Sequence, residues 1–295
     1  MELVCAGDVM LEVVVKATSV AEQGGETDAK LALRAGGQAL NVARIFSQLG
    51  GKSVLAACMG QDAAGKFLAH ELQKQGVGLI HPKAADSSGM VVSFVEGQHR
   101  TMYTQRGANR SLDLKKILAL KKTHRCAWYF SGYLPLNPAG KTQIRHCLEV
   151  LSKFQRPIAV DTPPAPMLKK IDPGVFLDVF KGATIFFATE DEARLLTATA
   201  PIAAMAQRLQ KHFPLVVIKQ GPKGCWLQTA KGGQHIPTTP LAQVDPTGAG
   251  DTFCGSFLFA LLDKTPPEQA AVFAHKVTAH RISLVPADVE RGREG

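Results

Sequence analysis

VDPTGAGDTF, at residues 244–253, leads directly into an apolar run at residues 254–262 that is long enough for a helix. The two glycines and the alanine of this stretch carry almost no side chain, so their backbone N–H groups can approach a ligand closely. A helix N-terminus adds positive potential there, which predicts a phosphate site. Asp251 would lie in the first turn, where a carboxylate can accept a proton from a hydroxyl that attacks a phosphoryl group. The stretch therefore predicts phosphoryl transfer; the alternative is a glycine turn before a buried helix.

Other phosphate-binding motifs are excluded by single residues. GKS at residues 51–53 and GKT at residues 140–142 end like P-loops, but Phe46 and Pro135 stand where the motif needs its first glycine. The GAG of the first stretch begins like a dinucleotide fingerprint, but Phe253 stands at its third glycine. Neither a P-loop nor a nicotinamide site is predicted.

The composition is that of an ordinary globular enzyme. The chain has 295 residues, 45% hydrophobic and 20% charged, and no Pro/Gly/Ser-rich linker or repeat divides it. At roughly 100 to 200 residues a domain, this length permits one or two domains, and we predict a single domain over residues 1–295. Six cysteines without C-x-x-C spacing predict free thiols in a reducing compartment. The absence of a signal pattern or a long apolar stretch predicts a cytoplasmic protein without membrane contact.

The net charge of +9 raises the question of nucleic-acid binding. Lysine and arginine occur as isolated pairs, and only 6% of residues are aromatic, so the sequence lacks a basic stripe interleaved with aromatic residues. We therefore expect no nucleic-acid partner. A positive field would instead attract an anionic nucleotide. The nine histidines show no metal-ligand spacing.

Short apolar runs that predict buried strands alternate with stretches of helical periodicity. Predicted strands lie at residues 2–7, 53–59, 126–130, 157–160, 184–187 and 215–219, and predicted helices at residues 38–49, 63–75, 141–152 and 268–282. This alternation predicts an α/β fold with a mostly parallel central sheet flanked by helices. Ligands bind beyond the carboxyl ends of such strands, where Asp8, Asp161 and Gln220 lie.

Two regions interrupt this rhythm. Residues 9–15 with 31–35, and residues 90–96 with 100–105, alternate apolar and polar side chains as half-exposed strands do. We predict that they form a small second sheet, a lid built from about residues 9–35 and 88–105. The alternative is an extension of the edge of the main sheet.

A second motif, AGGQALNVAR at residues 35–44, leads to a family resemblance. Together with the stretch at residues 244–253, it resembles the paired motifs of the ribokinase or phosphofructokinase-B (PfkB) family of carbohydrate kinases, and the resemblance spans nearly the whole chain. It implies a ribokinase-like fold in which a β-sheet lid covers a small-molecule sugar substrate. In that family the lid often serves as a dimer contact, which implies a homodimer here.

The resemblance assigns roles to individual residues. Asp251 matches the catalytic base, and the amides of Gly248, Ala249 and Gly250 match the anion hole for the transferred group. Positions that match or lie near the family's substrate contacts are Asp8, Glu12, Gly36, Gly37, Asn41, Arg106 and Asn109. Arg106 would suit an acidic substrate group; its alternative is a solvated side chain, and that of Asn41 is helix capping.

The nucleotide side is implied in the same way. Lys219, Gly221 and Gly224 belong to a loop that resembles the one beside the ATP site, with a plain hairpin turn as the alternative. In some relatives the region matching Asp245 and Thr247 holds a monovalent cation such as K+ through backbone carbonyls.

Two positions depart from the family pattern. Glu12 stands where a sugar-binding aspartate is usual, and its arm is longer by one methylene. Thr189 stands where the Asn-x-x-Glu motif has asparagine, although Glu192, associated with Mg2+ and phosphate, is kept. We expect Thr189 to cap the helix that begins there.

The resemblance implies an ATP·Mg-dependent kinase that phosphorylates a hydroxyl of a small sugar or sugar derivative. A nucleoside kinase of the same fold and a non-catalytic sugar sensor remain alternatives. For a nucleoside, the aromatic segment at residues 129–133 would offer a wall for the base; otherwise those rings are core.

Overall fold

The structure, a computed structural model, describes residues 1–17, 25–80, 84–96, 99–241 and 247–283. Its strands are β1 (Glu2–Ala6), β2 (Met10–Ala17), β3 (Ala29–Gly36), β4 (Lys52–Ala56), β5 (Gly78–Ile80), β6 (Gly89–Glu96), β7 (His99–Gln105), β8 (Ala127–Ser131), β9 (Ile158–Asp161), β10 (Ile185–Thr189), β11 (Leu215–Lys219), β12 (Cys225–Thr229) and β13 (Gly232–Ile236). Its helices are α1 (Gln38–Gln48), α2 (Ala63–Lys74), α3 (Leu114–Leu118), α4 (Gly140–Leu151), α5 (Ala165–Leu168), α6 (Pro173–Val179), α7 (Glu190–Thr197), α8 (Ile202–Gln210), α9 (Ala249–Leu262) and α10 (Pro267–Ser283).

The central sheet has the strand order β13-β12-β11-β10-β9-β8-β1-β4-β5. All pairings from β11 to β5 are parallel, and only β12 and β13 join in antiparallel fashion. This arrangement confirms the predicted α/β class. Each parallel strand begins at the same end of the sheet, because the segment before it returns the chain there. The carboxyl ends of the parallel strands therefore form one rim.

Helices cover both faces of this sheet and divide the core in two. Along β1, Val4 belongs to one buried cluster and Leu3 to the other, because successive side chains of a strand point to opposite faces. The first cluster includes Ile144 of α4, and the second includes Phe257 of α9. Burial on both faces explains why the central strands are continuous apolar runs rather than alternating ones.

A separate four-stranded sheet has the order β3-β2-β6-β7. The β2 strand pairs antiparallel with β3 and parallel with β6, and β6 pairs antiparallel with β7. These strands pair among themselves rather than with the main sheet, which confirms the predicted lid and excludes the edge extension. Several large apolar side chains of the lid are exposed, including Leu31 at 69% and Tyr103 at 67%.

The six cysteines all lie within the described residues, where they are buried and form no disulfide, as predicted. No helix in the described part of the chain is long and apolar enough to cross a bilayer.

Candidate active site

Asp251 and Asn41 meet where the first turns of two packed helices converge. Asp251 lies in the first turn of α9, and Asn41 lies one turn into α1. The Asn41 Nδ2 donates a hydrogen bond of 2.7 Å to Asp251 Oδ2, and Asn41 Oδ1 accepts one of 2.7 Å from Arg44 Nη2. The arginine fixes which end of the amide faces the carboxylate. The structure thus joins residues of the two sequence motifs although they are 210 positions apart.

Burial brings the pKa of the Asp251 carboxyl close to neutral pH. It raises the pKa of this carboxyl from 3.8 to about 7; the Asn41 hydrogen bond opposes that rise, the Asp161 carboxylate adds to it, and Lys219 and Arg44 oppose it. A base works best when its pKa lies near the working pH, because it is then largely ionised yet still basic. The arrangement therefore suits proton abstraction at neutral pH.

No other described residue crowds the glycine that precedes α9. Gly248 has a φ of 74°, in the left-handed region that favours glycine, and a Cβ placed on it would meet no atom of the described residues within 4 Å. The carbonyl of Gly248 accepts hydrogen bonds from the backbone N–H of Thr252 at 2.9 Å and from its hydroxyl at 2.8 Å. The leading amides of a helix have no partner within the helix, so those of residues 248–250 are available to an anion.

A buried ion pair lies behind this helix start. Lys219, the last residue of β11, donates to both carboxylate oxygens of Asp161 at 2.9 Å. Cys254 donates its thiol to the same carboxylate at 3.3 Å. A Cβ built on Gly250 would stand 3.5 Å from Lys219 Nζ, so the ammonium group borders the first turn of α9. Although burial disfavours the charged form, the Asp161 carboxylate raises the pKa of Lys219 above its ordinary value.

This cluster was only partly visible in the sequence. The sequence predicted that Lys219 contacts the nucleotide from a loop, whereas in the structure its ammonium is bound to Asp161. Asp161 was noted at a strand end but without a partner. The signal that pairs them is the strand order: β9 and β11 flank β10, so their last residues reach the same rim.

A second ion pair faces the other end of the site. Arg106 Nη2 lies 2.6 Å from Asp8 Oδ2, and the two side chains are 11% and 7% exposed. The guanidinium also lies over the ring of Tyr133, 5.4 Å from its centroid. Burial, reinforced by the Asp8 and Asp251 carboxylates, raises the pKa of the Tyr133 phenol to about 12. The Arg106 side chain is therefore largely buried, and the Asp8 carboxylate compensates its charge.

Asn109 fastens the backbone that carries this pair. Its Oδ1 accepts from the Val9 N–H and its Nδ2 donates to the Val9 carbonyl, each at 2.9 Å, and Nδ2 also donates to the Arg106 carbonyl at 3.0 Å. The residue is 1% exposed. The sequence suggested a substrate contact; the hydrogen bonds instead give the Asn109 amide a supporting role, because its polar atoms are occupied by backbone groups.

The paired glycines join the lid to α1. Gly37 is the N-cap of α1 with a φ of 121°, and a Cβ there would lie 2.2 Å from the Asp8 carbonyl oxygen. Only glycine permits this approach. Gly36 ends β3 beside Glu12, which accepts a hydrogen bond of 2.8 Å from the Ser93 hydroxyl. Asp8, Glu12 and the glycines thus lie together on the lid side of the site.

Thr189 caps α7, as expected. Its hydroxyl accepts from the Glu192 N–H at 3.4 Å, while Glu192 Oε2 accepts from the Thr189 N–H at 2.7 Å, which together form a capping box. Glu192 Oε2 also accepts from the Thr162 hydroxyl at 2.5 Å. The described residues contain no group of three or more His, Cys, Asp or Glu side chains that could hold a metal ion by themselves.

The remaining nucleotide-side positions lie in a turn or beyond the described residues. Gly221 and Gly224 lie between the antiparallel strands β11 and β12, so the hairpin turn is present. Contact of this turn with a nucleotide stays a prediction. Asp245 lies outside the described residues, and Thr247 is the first residue described after that gap.

Comparison with known proteins identifies the family and the fold of the chain. The sequence profile described as "pfkB family carbohydrate kinase" matches residues 1–284. The chain is 29% identical over 246 residues to mouse (Mus musculus) ribokinase, covering 77% of this chain and 71% of that protein. Among solved structures, the adenosine kinase of Sinorhizobium meliloti superposes with a TM-score of 0.85 at 20% identity, covering 96% of this chain and 94% of that one. The Arabidopsis thaliana ribokinase complexed with ribose and ATP gives a TM-score of 0.79 at 21% identity, covering 96% and 93%.

The structural matches show the ribokinase-like fold, with its mostly parallel sheet and separate lid. The family profile spans both motifs, so the Asp251–Asn41 contact and the α9 helix start lie within the matched region. On this evidence, the chain belongs to the pfkB family of carbohydrate kinases.

Proposed function

We propose that this protein transfers the γ-phosphoryl group of ATP to a hydroxyl of a small sugar or sugar derivative. The observation that carries the proposal is Asp251: a partly buried carboxylate with a pKa of about 7, held by Asn41 at the N-terminus of α9. A proton acceptor and an anion-binding turn on one helix are the two parts that phosphoryl transfer to an alcohol needs.

In the proposed mechanism, the phosphates of ATP lie against the amides of Gly248, Ala249 and Gly250. Asp251 accepts the proton of the attacking hydroxyl while that oxygen forms a bond to the γ-phosphorus. The bond from the γ-phosphorus to the bridging oxygen breaks, and ADP leaves. Positioning and charge stabilisation supply most of the rate enhancement in such reactions, so a single carboxylate base suffices.

Metal ions in this proposal accompany the nucleotide. Mg2+ is usually held by phosphates, waters and one or two carboxylates, which fits a chain whose described residues lack a metal cluster of their own. We assign Glu192 as the carboxylate that would hold Mg2+. The cation would help to neutralise the charge of the phosphates. A monovalent cation such as K+ at Asp245 and Thr247 is part of the same proposal.

The acceptor would lie between the lid and α1, near Asp8, Glu12 and the paired glycines. A nucleoside is the second candidate for it, because the half-buried ring of Tyr133 stands beside the Asp8–Arg106 pair and could pack against a base. An adenosine kinase shares the fold. We also propose one catalytic domain, a cytoplasmic location and a homodimer that pairs the exposed apolar side chains of the two lids.

The test is release of ADP from ATP·Mg with a panel of sugars, sugar acids and nucleosides, comparing the native chain with Asp251→Asn. We expect turnover on one class of acceptor and a loss of about a thousandfold or more in kcat for the variant, because the amide cannot accept the proton. Asp263→Asn, an exposed position at the other end of α9, is the matched control and should retain full turnover. Near-normal turnover by Asp251→Asn would remove the base; saturable sugar binding without turnover by the native chain would indicate a sensor.

A further inference from the structure

We propose that Asp8 and Arg106 form a charge-neutral pair that restricts the acceptor to uncharged polyhydroxy compounds and disfavours sugar acids and sugar phosphates. The inference rests on the proposed kinase function and narrows its substrate class. It reverses the expectation from sequence, in which Arg106 alone would attract an acidic group.

The pair lies on the acceptor side of the site. The Asp8 carbonyl approaches Gly37 so closely that a Cβ there would stand 2.2 Å away. The Gly37 carbonyl accepts the Asn41 N–H at 2.9 Å, and the Asn41 side chain reaches Asp251 at 2.7 Å. These contacts connect Asp8 with the proposed base. The Tyr133 phenol lies within electrostatic range of both carboxylates, since the charges of Asp8 and Asp251 each raise its pKa. In this proposal, an acceptor that reaches Asp251 from the lid side also passes Asp8 and Arg106.

The pair is built into the fold rather than formed by two mobile side chains. One amide, that of Asn109, is hydrogen-bonded to both backbone groups of Val9, next to Asp8, and to the carbonyl of Arg106. The side chains of the pair are 7% and 11% exposed, so water screens them little. Tyr133 covers the other face of the guanidinium. The geometry of the two charges is therefore fixed before an acceptor arrives.

The electrostatic consequence follows from this fixed geometry. Asp8 Oδ2 lies 2.6 Å from Arg106 Nη2 and balances its charge, while Asp8 Oδ1 and the Arg106 Nε and Nη2 groups have no hydrogen-bond partner among the described residues. A sugar hydroxyl can donate to the carboxylate oxygen and accept from the guanidinium, whereas a carboxylate can only accept and would serve the guanidinium alone. A carboxylate or phosphate on the acceptor would place a second negative charge beside Asp8 in a poorly screened site, and like charges there disfavour binding.

The experiment measures kcat/KM for neutral sugars and for aldonic acids of the same carbon number, with ATP·Mg as donor. The native chain should prefer the neutral sugar by about tenfold or more, since a buried like-charge contact discriminates at least that strongly. Asp8→Asn leaves Arg106 uncompensated and should shift this ratio toward the acid by about tenfold or more. The double variant Asp8→Asn/Arg106→Gln carries no charge and should return the ratio toward the neutral sugar.

Asp86→Asn is the matched control, since it makes the same change in net charge at an exposed position and should leave the ratio unchanged. A native preference for the acid, or an equal loss on both acceptors in Asp8→Asn, would overturn the inference while the kinase function stands. If Asp8→Asn fails to fold, the double variant and calorimetric binding of both acceptors to the native chain decide it, and tighter binding of the acid would refute it. Absence of turnover on every acceptor would instead contradict the proposed function.

Discussion

Two carboxylates of the site, Asp251 and Asp161, have different partners. Asp251 is held by the neutral amide of Asn41 at 2.7 Å, whereas Asp161 is held by the ammonium group of Lys219 at 2.9 Å. Burial raises the pKa of both carboxyls, but only at Asp161 does a cation in direct contact oppose it. The partners therefore differ in charge: a neutral amide holds Asp251, whereas the ammonium group of Lys219 opposes the rise of the pKa at Asp161.

The Asp8–Arg106 pair extends this comparison to the acceptor side. Burial raises the pKa of the Asp8 carboxyl as well, and the Arg106 charge opposes that rise. Two of these three aspartates therefore form ion pairs, and Asp251 is the one held by a neutral group. Asp251 is the acid that we propose as the base.

Removing the cation from Asp161 should have the largest effect on stability. Lys219→Met leaves a buried carboxylate without a counter-charge, and the free energy of unfolding should fall by about 3 to 5 kcal/mol. Denaturant unfolding at pH 8 measures it, from the transition midpoint at constant slope. Lys219→Met/Asp161→Asn should recover most of the loss, because no uncompensated charge remains.

The control for this prediction is another lysine of the same hairpin. Lys223 is exposed in the turn after β11, and Lys223→Met should change the free energy of unfolding by no more than about 0.5 kcal/mol. If the Lys219 and Lys223 variants were equally stable, the buried ion pair would not be a structural element of the site.

Removing the amide from Asp251 should shift the pH dependence of turnover. The base must be ionised, so activity should be present above its pKa and fall as the pH drops through about 7. The Asn41 hydrogen bond stabilises the ionised form, so Asn41→Ala should move the midpoint of this fall upward by about one pH unit. The measurement is kcat against pH between 5 and 9, roughly the range in which a group of this pKa titrates.

Gln48→Ala, an exposed amide at the other end of α1, is the control and should leave the profile unchanged. A native profile that is flat through pH 7, or a downward shift in Asn41→Ala, would contradict the assignment of Asp251 as the titrating base.

The fold could be predicted because its signals are local. Six of the seven parallel strands described in the central sheet were predicted as short apolar runs, with bounds that agree within a few residues, as at residues 215–219 for β11; β5 was not predicted. The lid was predicted from the alternation of apolar and polar residues along its strands. Neither signal depends on distant contacts.

The site could be predicted only where a motif stays together in sequence. The glycine turn and Asp251 lie within one stretch, and the structure places them at a helix start as expected. The ion pairs were missed because their members are far apart: Lys219 is 58 positions from Asp161. Asn109 was read as a substrate contact because an amide in a loop gives no sign that it is bound to the backbone of Val9, 100 positions away.

The smallest effect on stability is predicted at the start of α7, where Thr189 caps the helix. There Glu192 Oε2 accepts hydrogen bonds from two neutral groups, the Thr189 N–H and the Thr162 hydroxyl. Thr189→Ala removes the hydroxyl that caps this helix but leaves the Thr189 N–H and the Thr162 hydroxyl on Glu192. The free energy of unfolding should therefore fall by about 1 kcal/mol, the usual cost of an N-cap. Thr189→Ser keeps the hydroxyl and should unfold at the native midpoint. An equal loss in both variants would assign the loss of stability to the threonine methyl group rather than to the hydroxyl. A loss as large as that of Lys219→Met would show that the Thr189 hydroxyl stabilises more of the site than the cap of α7 alone.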